Sequence, residues 1–239
     1  MSEPLDLHSF LAGASVDDAV FALRPDYRVL LIAVDGIEPG ASNDRSEQLL
    51  TAAETSARSA LASSAVEDLP NISAWREVYR SFGAKPQRTR NSVEALTRRA
   101  ESGLPRVNRL TDIYNAISVL HQVPIGGEDL PSYAGPPRLI RATGTEDFET
   151  TAGGEPITEH PEAGEVVWID ETAITCRRWN WRQGRRTALT DTTTAALFIL
   201  DALGSMSDAA LESAGSDLVA HLGELGPAVR VATRLISAR

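Results

Sequence analysis

Residues 103–129, reading GLPRVNRLTDIYNAISVLHQVPIGGED, set the tightest limits on what this chain can become. In a helix, Asn108, Asp112 and Asn115 stand at i, i+4 and i+7 and share one stripe, while Leu110, Ile113, Ile117 and Leu120 form the neighbouring apolar one. Asn and Asp are mediocre helix formers because their side chains compete for backbone groups, so three on one face call for a reason beyond propensity. Two reasons fit: they cap and brace adjacent loops through buried hydrogen bonds, or they hold a ligand.

After that helix, Pro124, Ile125, Gly126, Gly127, Glu128 and Asp129 read as a loop in which two glycines permit close backbone approach or positive φ. Backbone N–H groups of such a loop can hold a carbonyl or carboxylate as an oxyanion hole does; a plain turn is the alternative.

A second informative segment is CRRWNWRQGRRTALTDTTT, residues 176–194. Trp179 and Trp181 alternate with Asn180 and Arg182 around a strand end, so an extended backbone points both indoles one way and both polar groups the other. Two aromatics flanked by five Arg make a platform for a base or ribose of a single-stranded end, with stacking worth ~1–3 kcal/mol per base. The plainer reading is two core indoles with Arg stacked on them by cation–π contact.

Charge bounds the partners. The net charge of −10 argues against indiscriminate nucleic-acid binding. Yet residues 76–109 carry nine Lys/Arg against Glu77, Glu94 and Glu101, and residues 177–186 carry five Arg and no acid, together 14 of the 23 basic residues. If the two stretches meet, an acidic protein gains one positive face suited to discrete nucleic-acid contact; otherwise the arginines solvate a surface. Only Lys85 is a lysine; the rest are Arg, suited to bidentate phosphate contacts. The single Cys176 rules out an internal disulfide, and His8, His121, His160 and His221 show no ligand spacing, so neither metal nor cofactor is expected. No apolar run approaches the ~20 residues a bilayer span needs, and the N-terminus lacks a basic region followed by an apolar one, so the expected location is cytoplasmic.

The remaining segments supply a scaffold. Residues 1–24 are expected to form short helical turns, with Leu5, Leu7, Phe10, Leu11, Val20, Phe21 and Leu23 as apolar contacts. YRVLLIAVDGIEPG reads as a buried strand running into a turn, with Asp35 at its end. Residues 43–65 read as an Ala-rich helix capped by Asn43, residues 71–82 as an amphipathic helix capped by Asn71, and VEALTRRA as a helix capped by Asn91 or Ser92. Residues 138–142 form a strand, the acidic stretch 144–164 a hairpin among loops, and residues 165–170 and 173–176 an antiparallel pair. Residues 195–203 are a strand or a helix start, residues 207–222 a helix, and a last helix follows Pro227 with Arg230, Arg234 and Arg239 toward its C-terminal end. Strands and helices intermingle in 239 residues without repeats, which predicts one α+β domain over 1–239: a layered sheet core with helices on one side and a helical C-terminal extension at about 205–239.

V-N-R-L-T-D-I-Y-N-A-I followed by P-I-G-G-E-D resembles the editing module, the B3/B4 domains, of the phenylalanyl-tRNA synthetase β-subunit. The family's pattern has an Asn, an Asp and an Asn at these spacings, then a Pro and an Asp a dozen residues on. Upstream WREVYRSFGAKPQRTRNSVEAL and downstream CRRWNWR resemble free-standing relatives of that module, so the likeness covers about residues 72–200. Where the synthetase module carries a His two residues after the Pro, this chain has Gly126, so the parent's selectivity and water placement do not carry over directly.

The resemblance implies β/β/α layering and hydrolysis, in trans, of the ester joining a wrong amino acid to tRNA, with no covalent nucleophile. It implies that Asn108 and Asn115 orient the aminoacyl group and that Asp112 binds its α-ammonium or fixes the neighbouring Asn residues. Asn108, Asp112, a backbone group of Gly126 or Gly127, or a hydroxyl of the bound ribose itself would hold the water. Asp129, Trp179, Asn180, Trp181 and Arg182 would contact substrate, and Arg76, Lys85, Arg88, Arg106, Arg177 and Arg178 the tRNA acceptor end. The 82–86 loop and Ser92 with Glu94 are further motif positions. The competing expectations are a non-catalytic tRNA- or RNA-binding module, favoured by Gly126, and a protein acting on a free amino-acid derivative. Neither DNA nor a membrane is an expected partner.

Overall fold

The computed structural model describes residues 6–238; Leu5 and Arg239 lie outside them. From the N-terminal side, α1 (Leu7–Gly13), β1 (Ser15–Val16) and α2 (Asp18–Leu23) lead into β2 (Arg28–Asp35). Four helices follow: α3 (Asp44–Leu61), α4 (Pro70–Ser81), α5 (Ser92–Arg99) and α6 (Arg109–His121). Next come β3 (Ile125–Asp129), β4 (Arg138–Arg141), β5 (Phe148–Ala152), β6 (Glu155–Glu159), β7 (Val166–Ile169), β8 (Ile174–Arg177) and β9 (Arg182–Gln183). The last elements are β10 (Ala196–Ala202), α7 (Asp208–Gly223) and β11 (Arg230–Ser237).

The strands make a four-stranded sheet ordered β11-β2-β10-β3, a five-stranded sheet ordered β1-β4-β7-β8-β9, and the β5-β6 hairpin. The continuous apolar runs of β2 and β10 follow from their position, because a strand buried on both faces has no reason to alternate with polar residues. Val29, Leu31, Ala33, Leu197 and Ile199 pack with Leu139, Val166, Trp168 and Cys176 of the five-stranded sheet. Ile32, Val34, Phe198 and Leu200 pack on the opposite face with Ile113 and Ile117 of α6 and Leu211, Ala214 and Leu218 of α7. The fold is therefore α+β, with sheet, sheet and helix stacked in three layers.

Local chemistry sets the helix starts. Asn43 caps α3 through a reciprocal capping box with Ser46, and Asn91 and Ser207 cap α5 and α7. α4 starts two residues earlier than an Asn71 cap implies, because Pro70 at the first helical position supplies a helical φ and needs no N–H partner; Asn71 instead donates to the Gln122 carbonyl at 3.2 Å.

Two segments differ from expectation. Residues 125–129 are an edge strand, not a loop, antiparallel to β10 with Ile199 opposite Gly126 and Phe198 opposite Gly127. Gly127 is there for space: a Cβ would lie 2.8 Å from Tyr114 and 2.9 Å from Leu189 and Phe198. Residues 230–237 are β11, paired along β2 from Arg230–Asp35 to Ser237–Arg28, and not a helical extension. Val231, Thr233 and Ile236 suit a strand, and pairing satisfies the free edge of β2.

Candidate active site

α6 directs the polar stripe to three different ends. Asn108 is the N-cap and accepts from Thr111 N at 2.9 Å. Asp112, fully buried, accepts from Val107 N at 2.9 Å and from the Ser42 hydroxyl, tying the start of α6 to the approach to α3. Of the three, Asn115 lines the cavity between the two sheets.

That cavity, about 260 Å³, lies between the two sheets at the β3 edge and is closed by α5 and α6. Trp168, Cys176, Trp179 and Ile199 give it apolar walls; Ser92, Asn115, Glu128, Asn180, Arg182, Gln183 and Asp201 supply polar groups. Gly126 lines it, and a methyl there would meet only Gln183 Nε2, at 3.6 Å, so the missing side chain leaves open space. Gly127 and Asp129 fall on the other face of β3: Asp129 accepts from Thr193 Oγ1 at 2.9 Å and Ser132 Oγ at 2.7 Å. The Gly127 carbonyl accepts from Gln183 Nε2 at 2.8 Å, joining the two sheets beside the cavity.

The segment between β8 and β9 does not keep strand alternation. Arg178 and Trp179 take φ of 48° and 69°, a left-handed pair that non-glycine residues adopt only where the surroundings enforce it. The turn sends Trp179 into the core, against Tyr27 and Trp75 with ring centroids 4.9 and 5.4 Å away. Trp181 stays half-buried, with Arg178 4.6 Å above its ring. Asn180 accepts from Tyr79 Oη at 3.0 Å and donates to Asp201 at 3.2 Å, while its backbone carbonyl accepts from Ser92 N at 3.0 Å. The indoles thus diverge instead of forming one stacking platform.

The cavity gathers unpartnered polar atoms. Ser92 Oγ, Glu128 Oε1, Trp168 Nε1 and Trp179 Nε1 are buried without a hydrogen-bond partner in the protein, and all four residues line it. Interiors normally pair such atoms, so their convergence on one space marks a place for polar contacts. Burial pushes the Asp201 carboxyl up to about 7 despite the hydrogen bonds from Tyr27 and Asn180, and also raises Glu128. Burial holds the Cys176 thiol well above its ordinary range, far from a nucleophilic thiolate. No group of three His, Cys, Asp or Glu residues with metal-binding arrangement occurs among the described residues.

The predicted basic contacts separate into two kinds. Lys85 and Arg88 are exposed on the loop between α4 and α5. Arg76 is paired to buried Glu94 at 2.7 Å, Arg106 grips Glu47 and Glu54, and Arg177, 7% exposed, binds both oxygens of Glu165 at 2.9 Å. Arg178 is divided among Thr89, Glu165 and the Trp181 face. Arg76, Arg106 and Arg177 therefore hold the fold's own carboxylates. Glu128, Gln183 and Asp201 were not singled out from the sequence; the one signal was Asp201, an acid inside the apolar run ALFILDA.

The match that decides the family covers this site. Residues 74–211, more than half of the chain, match the model described as the B3/4 domain. The chain belongs to the B3/4 domain family. A solved structure similar to it is an N-terminal fragment of the phenylalanyl-tRNA synthetase β-subunit from Pyrococcus horikoshii, at 14% identity and a TM-score of 0.46. The likeness covers 91% of this chain and 49% of that one, so this B3/4 protein spans about half the length of the fragment. No curated protein matches the chain. The B3/4 match takes in α5, α6, β3, β7, β8, β9, β10 and the β8–β9 turn, every element that lines the cavity. No helix is long and apolar enough to cross a membrane among the described residues.

Proposed function

We propose that this B3/4 protein is a trans-acting aminoacyl-tRNA deacylase, hydrolysing the ester between an incorrect amino acid and the terminal ribose of a tRNA. The observation that carries this reading is the meeting, around one cavity, of Asn115 and Gly126 from the family motif with Asn180 and Arg182 from the second segment. An activated ester needs a placed water and a stabilised oxyanion more than a strong base. The Asn115 carboxamide, with the second N–H of the Asn180 and Gln183 carboxamides, supplies the donors for this task, and the space beside Gly126 accommodates the water. Water oxygen bonds to the ester carbonyl carbon, the carbon–oxygen bond to ribose breaks, and the proton released from water ends on the ribose oxygen. Asn108 and Asp112 serve by holding the start of α6, which fixes Asn115. Lys85 and Arg88 contact acceptor-stem phosphates, and Arg182, at the cavity, contacts the terminal nucleotide.

The test is a deacylation screen with tRNAs carrying each radiolabelled amino acid, cognate and mischarged, using the protein and its Asn115→Ala variant. Selective release of one or a few amino acids, absent in the variant, is expected. Stability of every ester, together with salt-sensitive binding of charged and uncharged tRNA alike, would overturn the deacylase in favour of a non-catalytic RNA-binding module.

A further inference from the structure

Glu128 is the acid at the cavity with an uncommitted oxygen. It sits on β3 two residues beyond Gly126, so strand periodicity places both on the cavity face. Glu128 is 1% exposed; one carboxylate oxygen accepts from the Tyr133 hydroxyl, and Oε1 has no partner. The Thr175 and Thr187 hydroxyls and the Gln183 carboxamide lie near the Glu128 carboxyl group, and both hydroxyls are themselves buried without a partner. Asp201, the other acid lining the cavity, is committed on both oxygens, to Tyr27 at 2.5 Å and Asn180 at 3.2 Å. Arg182 is the single cationic side chain lining the cavity, and it donates to the Thr151 carbonyl at 3.3 Å. The cavity is therefore lined by two carboxyl groups and by one cation, which already donates to a backbone carbonyl.

We infer that Glu128 binds the free α-ammonium group of the aminoacyl ester, so that the site accepts unblocked aminoacyl groups and rejects N-acylated ones such as peptidyl esters. This rests on the deacylase reading for the ester, but the ammonium contact is a binding property that exists without hydrolysis. A buried carboxylate gains most from a cationic donor, and an N-acyl group removes both the charge and two of the three N–H donors. It also adds bulk where a cavity of about 260 Å³ leaves little room. The role expected of Asp112 passes to Glu128, because Asp112 lies at the far start of α6 with its oxygens taken.

The test uses the whole chain and a non-hydrolysable probe pair: 3′-amino-3′-deoxyadenosine amide-linked to alanine, or to phenylalanine, each with a free or an N-acetylated amine. Titration calorimetry should show the free-amine probe binding about tenfold more tightly or better, as expected for loss of a charge-assisted hydrogen bond in a buried site. Glu128→Gln, which keeps an acceptor for Tyr133, should bring the two affinities together. Equal binding of the two forms by the wild-type chain, or no binding of either, overturns the inference whether or not the variant folds. Discrimination that survives in a folded Glu128→Gln protein overturns it too. The two readings separate cleanly: hydrolysis of N-acetylated and free aminoacyl-tRNA at equal rates removes the ammonium contact and keeps the deacylase. Probe discrimination without hydrolysis of any ester does the reverse.

Discussion

Tyr27 Oη donates a 2.5 Å hydrogen bond to Asp201 Oδ1, joining residues 174 positions apart at the back of the cavity. Burial nonetheless outweighs this bond and lifts the Asp201 carboxyl from 3.8 to about 7. The native chain then binds more protons than the unfolded one between those values, so this group's contribution to stability is full below about pH 4 and is lost as pH rises to about 7.

Asp201→Asn mimics the protonated acid and removes that slope. Against wild type, it should gain stability steadily from pH 4 to 7 and hold the gain at pH 8, by on the order of 4 kcal/mol at most. Urea denaturation at each pH measures the difference. Curves that stay parallel would show that Asp201 is ionised throughout.

Arg177 belongs to the fold. Removing it leaves buried Glu165, 3% exposed at the side chain, with only the longer 3.4 Å pairing to Arg178 as counter-charge. Arg177→Ala should destabilise by about 3–5 kcal/mol. At temperatures where the variant remains folded, its tRNA affinity should match wild type, as measured by filter binding.

The adjacent glycines should respond oppositely to the same change. Gly127→Ala forces a Cβ against Tyr114, Leu189 and Phe198 at under 3 Å and should cost about 1–3 kcal/mol. Gly126→Ala has room and should leave stability within about 0.5 kcal/mol while encroaching on the cavity. Calorimetric melting of the pair decides; equal losses would contradict the packing of β3.

Charge reversal at Lys85 or Arg88 tests the exposed basic loop. Each variant should weaken tRNA binding across sequences and reduce the slope of log affinity against log salt by about one phosphate contact, with no change in melting temperature. An unchanged slope would move the acceptor stem to another face.

Much of the fold was legible because it rests on local signals. The apolar run of β2 announced a buried strand, that of β10 a strand or a helix start, and Asn43 and the Asn91–Ser92 pair announced helix starts. The misread segments are those where tertiary pairing overrides local propensity. Gly126–Gly127 has the composition of a turn, and only the nearness of Tyr114 and Phe198 explains a glycine in a strand. Residues 230–237 carry terminal arginines that favour a helix end, and only the open edge of β2 makes them a strand. At the site, Asn115, Gly126, Asn180 and Arg182 were readable as a motif and do share a cavity. Glu128 and Asp201 were not, because what singles them out is burial and the shortage of partners.

The pairing of β11 with β2 has a consequence for synthesis. Arg230 meets Asp35 across 195 residues, and β2 runs between β10 and β11 with no partner earlier than residue 196. As the chain emerges from the ribosome, β2 waits, apolar and unpaired on both edges, until nearly everything else has been made. Such non-local pairing slows folding and exposes strand edges to association in the meantime. It also means that the B3/4-matched segment 74–211, cut out alone, would lack the strand on which β10 is laid.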